Sequence, residues 1–266
     1  WTLQQAVEKI RGPKGTEVTL TVLHKDEKKE VSLKIKRDVI TVKSVTGYVK
    51  KIKDIKNIDI SKFTDEAIAL VRKDASFAYI RLSQFGDNTN KDWLVLIEKL
   101  HSQIQKEPNF RGIVLDLRNN PGGYLSDAVF IASEFLREGQ TVVMEDSGTF
   151  RNRSLSVERR GRFTDSKLVV LINKGSASAS EIVAAALQNH GRTKLLGEQS
   201  FGKGTIQEAS DLGGGAGLHV TVAKWLTPNG TWINGKGLSP DISVSLDPKK
   251  ENIDTQLEKA IEELIK

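Results

Sequence analysis

The apolar positions of the chain follow two periodicities, one typical of helices and one typical of strands. Residues 3–10 repeat them at helical spacing, and residues 16–23 and 29–36 alternate apolar and polar residues like the strands of a hairpin. From residue 76 onward, short apolar runs alternate with longer amphipathic stretches. Strands that alternate with helices in this way predict a layered α/β core.

The second part of the chain can be divided into predicted strands and helices. The strands cover residues 77–82, 111–117, 140–144, 168–172 and 218–226, and the helices cover residues 90–105, 125–136, 182–187 and 255–265. The apolar positions of the last helix are Leu257, Ile261, Leu264 and Ile265. Their spacing predicts a face that docks onto the core.

Between these two parts, residues 39–75 follow no single pattern. Residues 39–45 predict a strand, residues 50–56 are basic, and residues 65–72 predict a short helix. We interpret this segment as a linker or cap beside the core. The predicted division is therefore 1–38, 39–75 and 76–266.

Composition narrows the class of protein. A hydrophobic fraction of 38% in 266 residues is enough for one sizeable core. The net charge of +6 comes from scattered lysines without interleaved aromatic residues, so we expect no nucleic-acid partner. The absence of cysteine excludes disulfides, thiolate catalysis and cysteine-bound zinc.

The candidate chemistry begins after the predicted strand 168–172. A turn signal, Asn173-Lys-Gly175, leads to Ser176-Ala-Ser-Ala-Ser180 and then to a strong helix former. The first amides of a helix have no partner inside it and can bind developing negative charge. This arrangement predicts a serine hydroxyl presented to a substrate.

A lysine between two glycines, in Phe201-Gly-Lys-Gly204, is the candidate base. Serine needs a neighbour to take its proton, and a lysine does so only when its amine is neutral. Burial of a lysine can achieve this at a cost of about 4 kcal/mol relative to the solvated ammonium. Taken alone, the serine motif is more typical of an ordinary helix start, and the lysine motif is more typical of an exposed glycine loop.

Together these motifs resemble the carboxyl-terminal processing (tail-specific) serine protease family. The residues that carry the resemblance are 175–182, 197–198, 201–207 and 116–123. It implies that Ser178 is the nucleophile, that Lys203 is the base and that Gln207 orients the lysine. Asn189 stands where other members carry an aspartate.

The second signature is Asp116-Leu-Arg-Asn-Asn-Pro-Gly-Gly123. The resemblance implies that Gly122 or Gly123, together with Ala179, supplies the amides of an oxyanion hole. Each such donor lowers the barrier by roughly 3–4 kcal/mol. On its own the pattern predicts only a tight turn, braced by its aspartate and arginine. The resemblance also implies a crotonase-like mixed-sheet α/β core.

The N-terminal segment resembles part of another domain. Residues 10–13 and 15–16 are similar to the signature in the C-terminal half of a PDZ domain. PDZ domains bind peptide tails by adding a strand to a sheet edge. The half that would hold the tail is missing from residues 1–38, which implies a partial PDZ domain without a complete groove.

The implied function is a serine endopeptidase that cleaves protein substrates near their C-termini through an acyl-enzyme. We expect protein or peptide substrates with accessible C-terminal tails, no cofactor and no metal. A homodimer and a regulatory protein stay open as partners. The expected location is extracytoplasmic, in the bacterial cell envelope: periplasmic, secreted or anchored through a segment upstream of Trp1. The residues given show neither a signal peptide nor a transmembrane run, and they begin at Trp1 rather than at a methionine.

Two other function classes stay open. A Ser-His hydrolase would use His190, although the chain lacks a Gly-x-Ser-x-Gly motif. An inert adaptor would use only the PDZ-like part. Ser176 and Ser180 compete with Ser178 as nucleophiles, and the helix start makes a structural role more typical of them.

Overall fold

The computed structural model describes residues 2–24, 27–39, 43–148, 152–214, 216–247 and 252–266. The chain divides after Lys43 into a smaller unit, residues 1–43, and a larger unit, residues 44–266. The segment interpreted as a linker or cap thus belongs, from Ser44 on, to the larger unit.

The smaller unit contains helix α1 (Leu3–Ile10) and strands β1 (Glu17–Val22) and β2 (Val31–Lys36), as the sequence predicts. The strands pair antiparallel as a two-stranded sheet. A capping box starts α1, because the Thr2 hydroxyl accepts from the amide of Gln5 while the Gln5 side chain accepts from the amide of Thr2. None of the described residues of this unit is buried.

The larger unit contains the remaining elements. In chain order they are β3 Val45–Lys51, α2 Asp65–Arg72, β4 Ser76–Leu82, α3 Thr89–Ile104, β5 Phe110–Asp116, α4 Leu125–Ala132, β6 Thr141–Asp146, β7 Arg153–Ser156, β8 Leu168–Ile172, α5 Ala179–Asn189, β9 Lys194–Gly197, β10 Thr205–Gly213, β11 Ala216–Leu226, β12 Ile242–Ser243 and α6 Thr255–Ile265. None of these helices, within the described ranges, is long and apolar enough to cross a membrane.

Six strands form the central sheet in the order β12-β9-β8-β5-β4-β3. Neighbouring strands are parallel except for the antiparallel pair β3 and β4. This confirms the mixed-sheet α/β core. The strand predicted at 39–45 is wrong in its described part: residues 40–42 lie outside the described ranges, and the strand begins at Val45 because it pairs with β4.

Alternation along β8 shows how the sheet buries both faces. Leu168, Val170 and Ile172 belong to a cluster that includes residues of α3, α4 and α5. Val169 and Leu171 belong to a second cluster that includes residues of α2 and α6. The sheet is thus covered on both sides, and the predicted docking face of the last helix is confirmed.

A smaller antiparallel sheet has the order β10-β11-β6-β7. Strands β10 and β11 form a long hairpin in which β10 is the edge strand. Most side chains of this hairpin are exposed, including Leu218 and Val220. A glycine-rich turn joins these two strands, and residue 215 lies outside the described ranges.

A buried ion cluster joins the end of β5 to the start of α6. Asp116 is fully buried and accepts from the guanidinium of Arg118 at 2.7 Å. Arg118 also donates to Asp254 at 2.8 Å and to Gln256 at 2.9 Å. Because the amide of Arg118 donates to Asp116 as well, at 2.9 Å, the pair braces the turn that follows β5.

Candidate active site

A cleft of about 520 Å³ lies at the start of α5. It is lined by Pro121, Gly122, Gly123, Tyr124, Leu125, Ser178, Ala179, Ile182, Lys203, Thr205, Ile206, Gln207, Ala209, His219 and Trp225. The turn after β5, the first turn of α5, the loop before β10 and the β10–β11 hairpin therefore form its walls. The predicted site residues all line this one cleft.

Ser178 is the residue that caps the N-terminus of α5. Its backbone has φ +55° and ψ −119°, a conformation that a residue with a side chain rarely adopts and that costs of order 1–3 kcal/mol. The turn leaves Ser178 half-buried in the wall of the cleft.

The two competing serines are placed differently. Ser176 and Ser180 are both fully buried. The hydroxyl of Ser176 donates to the carbonyl oxygen of Leu117 at 2.8 Å, and that of Ser180 lies 2.8 Å from the carbonyl oxygens of Asn120 and Ala177. Both hydroxyls hold the turn after β5 against the turn after β8, as structural residues do.

Glu181 connects two segments of the site. One is the turn between β8 and α5, residues 173–178, called the serine turn; the other is the loop between β9 and β10, residues 198–204, called the lysine loop. The fully buried carboxylate of Glu181 accepts from the amides of Ser178 at 2.8 Å and Lys203 at 2.9 Å. It also accepts from the hydroxyl of Ser200 at 2.6 Å and the amide of Gly202 at 2.7 Å. One side chain therefore sets the backbone of both candidate catalytic residues.

Our sequence reasoning missed Glu181, although the chain carries a signal for it. A serine followed three residues later by glutamate at a helix start is the signature of a capping box. Here the glutamate accepts from the amide of the serine, as in that motif. What the motif does not predict is the bond to a loop 22 residues further along the chain.

The lysine loop is also held from its other side. The indole N–H of Trp225 donates to the carbonyl oxygen of Lys203 at 2.7 Å, and that of Trp232 donates to the carbonyl oxygen of Gly204 at 2.9 Å. Lys203 itself is half-buried and lines the cleft. Its backbone is thus held between Glu181 and Trp225.

Gln207 lies on β10, four residues after Lys203, and lines the cleft with an exposed side chain. In the described part of the chain, no hydrogen bond joins the side chains of Gln207 and Lys203. Its role in orienting the lysine stays a prediction.

The turn after β5 packs against the serine turn without a gap. A Cβ atom on Gly122, which has φ +96°, would lie 2.7 Å from the carbonyl oxygen of Ala177 and 2.7 Å from the Cβ of Ser178. A Cβ on Gly123 would lie 2.0 Å from the carbonyl oxygen of Phe85. Only glycines allow this approach.

The two glycine amides differ in what they can bind. The amide of Gly122 donates to the side-chain oxygen of Asn120 at 2.9 Å. Within the described ranges, the amides of Gly123 and Ala179 donate to no other group of the protein. Of the predicted oxyanion donors, Gly123 and Ala179 are therefore the ones that can receive a new acceptor.

His190, the alternative base, lies at the far end of the helix that Ser178 starts. Helix α5 has 11 residues and lies between the two, so they are separated by about 18 Å along its axis. The imidazole Nε2 lies 2.7 Å from the carbonyl oxygen of Thr141. This separation excludes direct proton transfer from Ser178 to His190.

The side chains that line the cleft carry basic groups, Lys203 and His219, and include no carboxylate among the residues described. At its rim, Tyr124 donates to Asp87 at 2.9 Å. This hydrogen bond and the charge of Asp87 raise the pKa of Tyr124. No group of three or more acidic or histidine side chains suited to a metal ion occurs in the described ranges.

Comparison with known proteins places the chain among proteases. A family model described as peptidase family S41 matches residues 76–244. A carboxy-terminal-processing protease of Bartonella bacilliformis is 39% identical over 245 residues, which cover 91% of this chain and 50% of the relative. The carboxy-terminal processing protease CtpB of Bacillus subtilis is 34% identical over 244 residues, which cover 91% of this chain and 45% of the relative. The chain therefore spans about half the length of these curated relatives.

Solved structures show the same relationship. The photosystem II D1 C-terminal processing protease superposes with a TM-score of 0.63 at 31% identity, over 96% of this chain and 61% of that one. Mature CPAF superposes with a TM-score of 0.53 at 12% identity, over 72% of this chain and 50% of that one. The second likeness is one of fold alone.

Proposed function

The chain belongs to peptidase family S41, and on that premise we propose that it acts as a serine endopeptidase that cuts protein substrates near their C-termini. The names of the relatives support this reaction class, because both relatives are called carboxy-terminal processing proteases. Because the chain spans about half of their length, the activity and substrates of the whole protein are part of this proposal.

In the proposed mechanism, the Oγ of Ser178 attacks the scissile carbonyl carbon while the neutral amine of Lys203 takes the hydroxyl proton. The amides of Ala179 and Gly123 hold the oxyanion that forms, as fixed donors do in acyl transfer. Lys203 then gives its proton to the leaving amine, and the carbon–nitrogen bond breaks. An acyl-enzyme on Ser178 results.

Water completes the cycle. Lys203, neutral again, takes a proton from a water molecule that attacks the ester carbonyl of the acyl-enzyme. The same amides hold the second oxyanion. The ester bond breaks, the proton passes to the Oγ of Ser178, and the free enzyme is restored. Gln207 would orient the amine of Lys203.

One observation supports the pairing of serine and lysine above all. The carboxylate of Glu181 accepts from the backbone amides of Ser178 and Lys203, at 2.8 and 2.9 Å, and both residues line the same cleft. A fixed separation of the two backbones reduces the entropic cost of bringing the reacting side chains together.

The decisive experiment uses serine and lysine variants with a fluorogenic peptide. Ser178→Ala and Lys203→Ala should each lower kcat by at least about 10³-fold, because each removes a member of the proposed dyad. Ser210→Ala, an exposed serine on β10, should leave kcat unchanged and is the control. Circular dichroism should show that all three variants are folded. Turnover retained by folded Ser178→Ala would refute the assignment.

We further propose that residues 1–38 are part of a PDZ domain. The helix and antiparallel strand pair of the smaller unit fit the C-terminal half of that fold. The protein would act outside the cytoplasm of a bacterium, on protein or peptide substrates with accessible C-terminal tails. A homodimer or a regulatory protein would be its macromolecular partner.

A further inference from the structure

The β10–β11 hairpin turns one of its two faces to the cleft. Gln207 and Ala209 of β10 line the cleft, as does His219 of β11, which is paired directly with Ala209. Paired residues of antiparallel strands share a face of the sheet. Glu208 and Ser210 alternate with these residues and lie on the other face.

His219 has no place in the proposed mechanism, yet it shares the cleft with Ser178. Its side chain is exposed, so it can contact a bound molecule. No lining residue in the described ranges carries a carboxylate that would repel a negatively charged group here. An imidazole in such a setting can donate to, and when protonated attract, a negatively charged group of a substrate.

We propose that His219 is a specificity-determining residue that binds a carboxylate of the substrate, namely the free C-terminal carboxylate of a short tail. This inference rests on the proposed endopeptidase function, because it concerns how the same cleft receives its substrate. It adds a recognition point within the protease core itself.

The position of His219 predicts how many substrate residues follow the cleaved bond when the C-terminal carboxylate contacts the imidazole. Strand β10 leaves the lysine loop at Thr205, and Ala209, the partner of His219, lies four residues further on. At ~3.3 Å per residue this is about 13 Å along the strand. An extended substrate that follows β10 would therefore place its C-terminus beside His219 when about four to six residues follow the cleaved bond.

The test uses one peptide sequence with tails of about two to ten residues beyond the cleaved bond, each as the free acid and as the amide. A further amidated peptide carries a glutamate at the position where the shorter acid ends. The protein variants are His219→Gln, which removes the basic group, and His219→Lys, which makes it permanent. Ser210→Lys adds the same charge to the opposite face of the hairpin and is the matched control.

The expected result is a preference for the acid over the amide of roughly three- to tenfold in kcat/KM at tails of about four to six residues. His219→Gln should reduce this ratio to about one, while His219→Lys should keep it. Ser210→Lys should match the unsubstituted protein. An equal ratio in the unsubstituted protein and His219→Gln would overturn the proposal. If the amidated peptide with the glutamate were cleaved in preference to the plain amide while the free acid was not, the assignment to the C-terminal carboxylate would be wrong.

A binding arm separates this inference from the proposed function. The Kd of the acid and amide peptides is measured on Ser178→Ala, with and without His219→Gln, so no cleavage is needed. If the unsubstituted protein cuts no peptide, the endopeptidase proposal fails, while a His219-dependent ratio of Kd values still supports carboxylate binding. Equal Kd values for the acid and the amide peptides would overturn the proposal that His219 binds the carboxylate.

Discussion

At the scale of the residue, Glu181 links the parts of the site that the chain keeps apart. One of its oxygens accepts from Ser200 and Gly202, and the other accepts from Ser178 and Lys203. A buried carboxylate with hydrogen bonds on both oxygens has the partners that its burial requires. The serine turn and the lysine loop are thus held by a charged group that takes no proton in the proposed reaction.

We expect Glu181→Gln to lower both the activity and the stability of the protein. Glutamine offers one acceptor oxygen, so its amide nitrogen would face two of the four donors. Two buried donors left without acceptors cost about 1–3 kcal/mol each, and a displaced serine or lysine costs kcat about 10²-fold. Peptide cleavage and denaturant unfolding measure the two effects.

Glu208→Gln is the matched control, because Glu208 is exposed on the outer face of the hairpin. It should change neither kcat nor the free energy of unfolding by a measurable amount. If Glu181→Gln kept kcat within about threefold of the unsubstituted protein, a positioning role for the carboxylate would be wrong.

At the scale of the element, the ion cluster of Asp116, Arg118 and Asp254 ties strand β5 to helix α6. Burial alone would lower the pKa of Arg118, but the hydrogen bonds and charges of Asp254 and Asp116 outweigh it and raise that pKa. The cluster also begins the turn that leads to Gly122 and Gly123. Helix α6 is therefore connected to the proposed oxyanion donors through one guanidinium.

Arg118→Met should destabilise the protein by about 3–5 kcal/mol, because it leaves the fully buried Asp116 without its closest cation. The control is Arg137→Met. Arg137 pairs with Asp165 on the surface, where the side chains are 76% and 78% exposed, and its loss should cost at most about 1 kcal/mol. Guanidinium unfolding of both variants gives the comparison. Equal losses would contradict the structural role of the buried cluster.

The same cluster predicts how stability depends on pH. Burial alone would raise the pKa of Asp254, but the hydrogen bond and charge of Arg118 outweigh it and hold that pKa below its usual range. A carboxyl with a lower pKa in the folded state stabilises the protein above its unfolded pKa, about 4. This contribution is lost as the pH falls through the folded value.

Asp254→Asn should therefore be less stable than the unsubstituted protein at neutral pH and lose less stability on acidification. The measurement is the free energy of unfolding between about pH 7 and pH 2. Asp165→Asn is the control, since Asp165 is exposed and its ion pair is screened by solvent. If the free energy of unfolding fell by the same amount on acidification for Asp254→Asn and for the unsubstituted protein, the prediction would be contradicted.

At the scale of the whole molecule, the two units differ in how they are stabilised. The larger unit buries apolar side chains in clusters that take in residues from both faces of a six-stranded sheet. The smaller unit has one helix and a two-stranded sheet, and none of its described residues is buried. Two-stranded sheets are marginally stable in water.

Residues 44–266 should therefore fold without residues 1–43. We expect this fragment to unfold cooperatively with a Tm within about 4 °C of that of the full chain. Residues 1–43 alone should show no cooperative transition. Differential scanning calorimetry of the three chains tests this, and a fragment 44–266 without a transition would contradict the division.

The sequence by itself determined much of this protein, because helix and strand periodicities are local. The bounds of β8 and α6 agree with the predicted residues 168–172 and 255–265. The motifs around Ser178 and Lys203 indicated a family that the comparisons then showed. Each of these features lies within a stretch of a few residues, where apolar spacing and turn residues act directly.

The tertiary structure alone decided which separated segments meet. It joins Ser178 to Lys203 through Glu181 and adds residues 45–51 to the central sheet. It also brings His219 to the wall of the cleft. Such contacts depend on how strands pair and loops close over long separations, and no local spacing of residues encodes them.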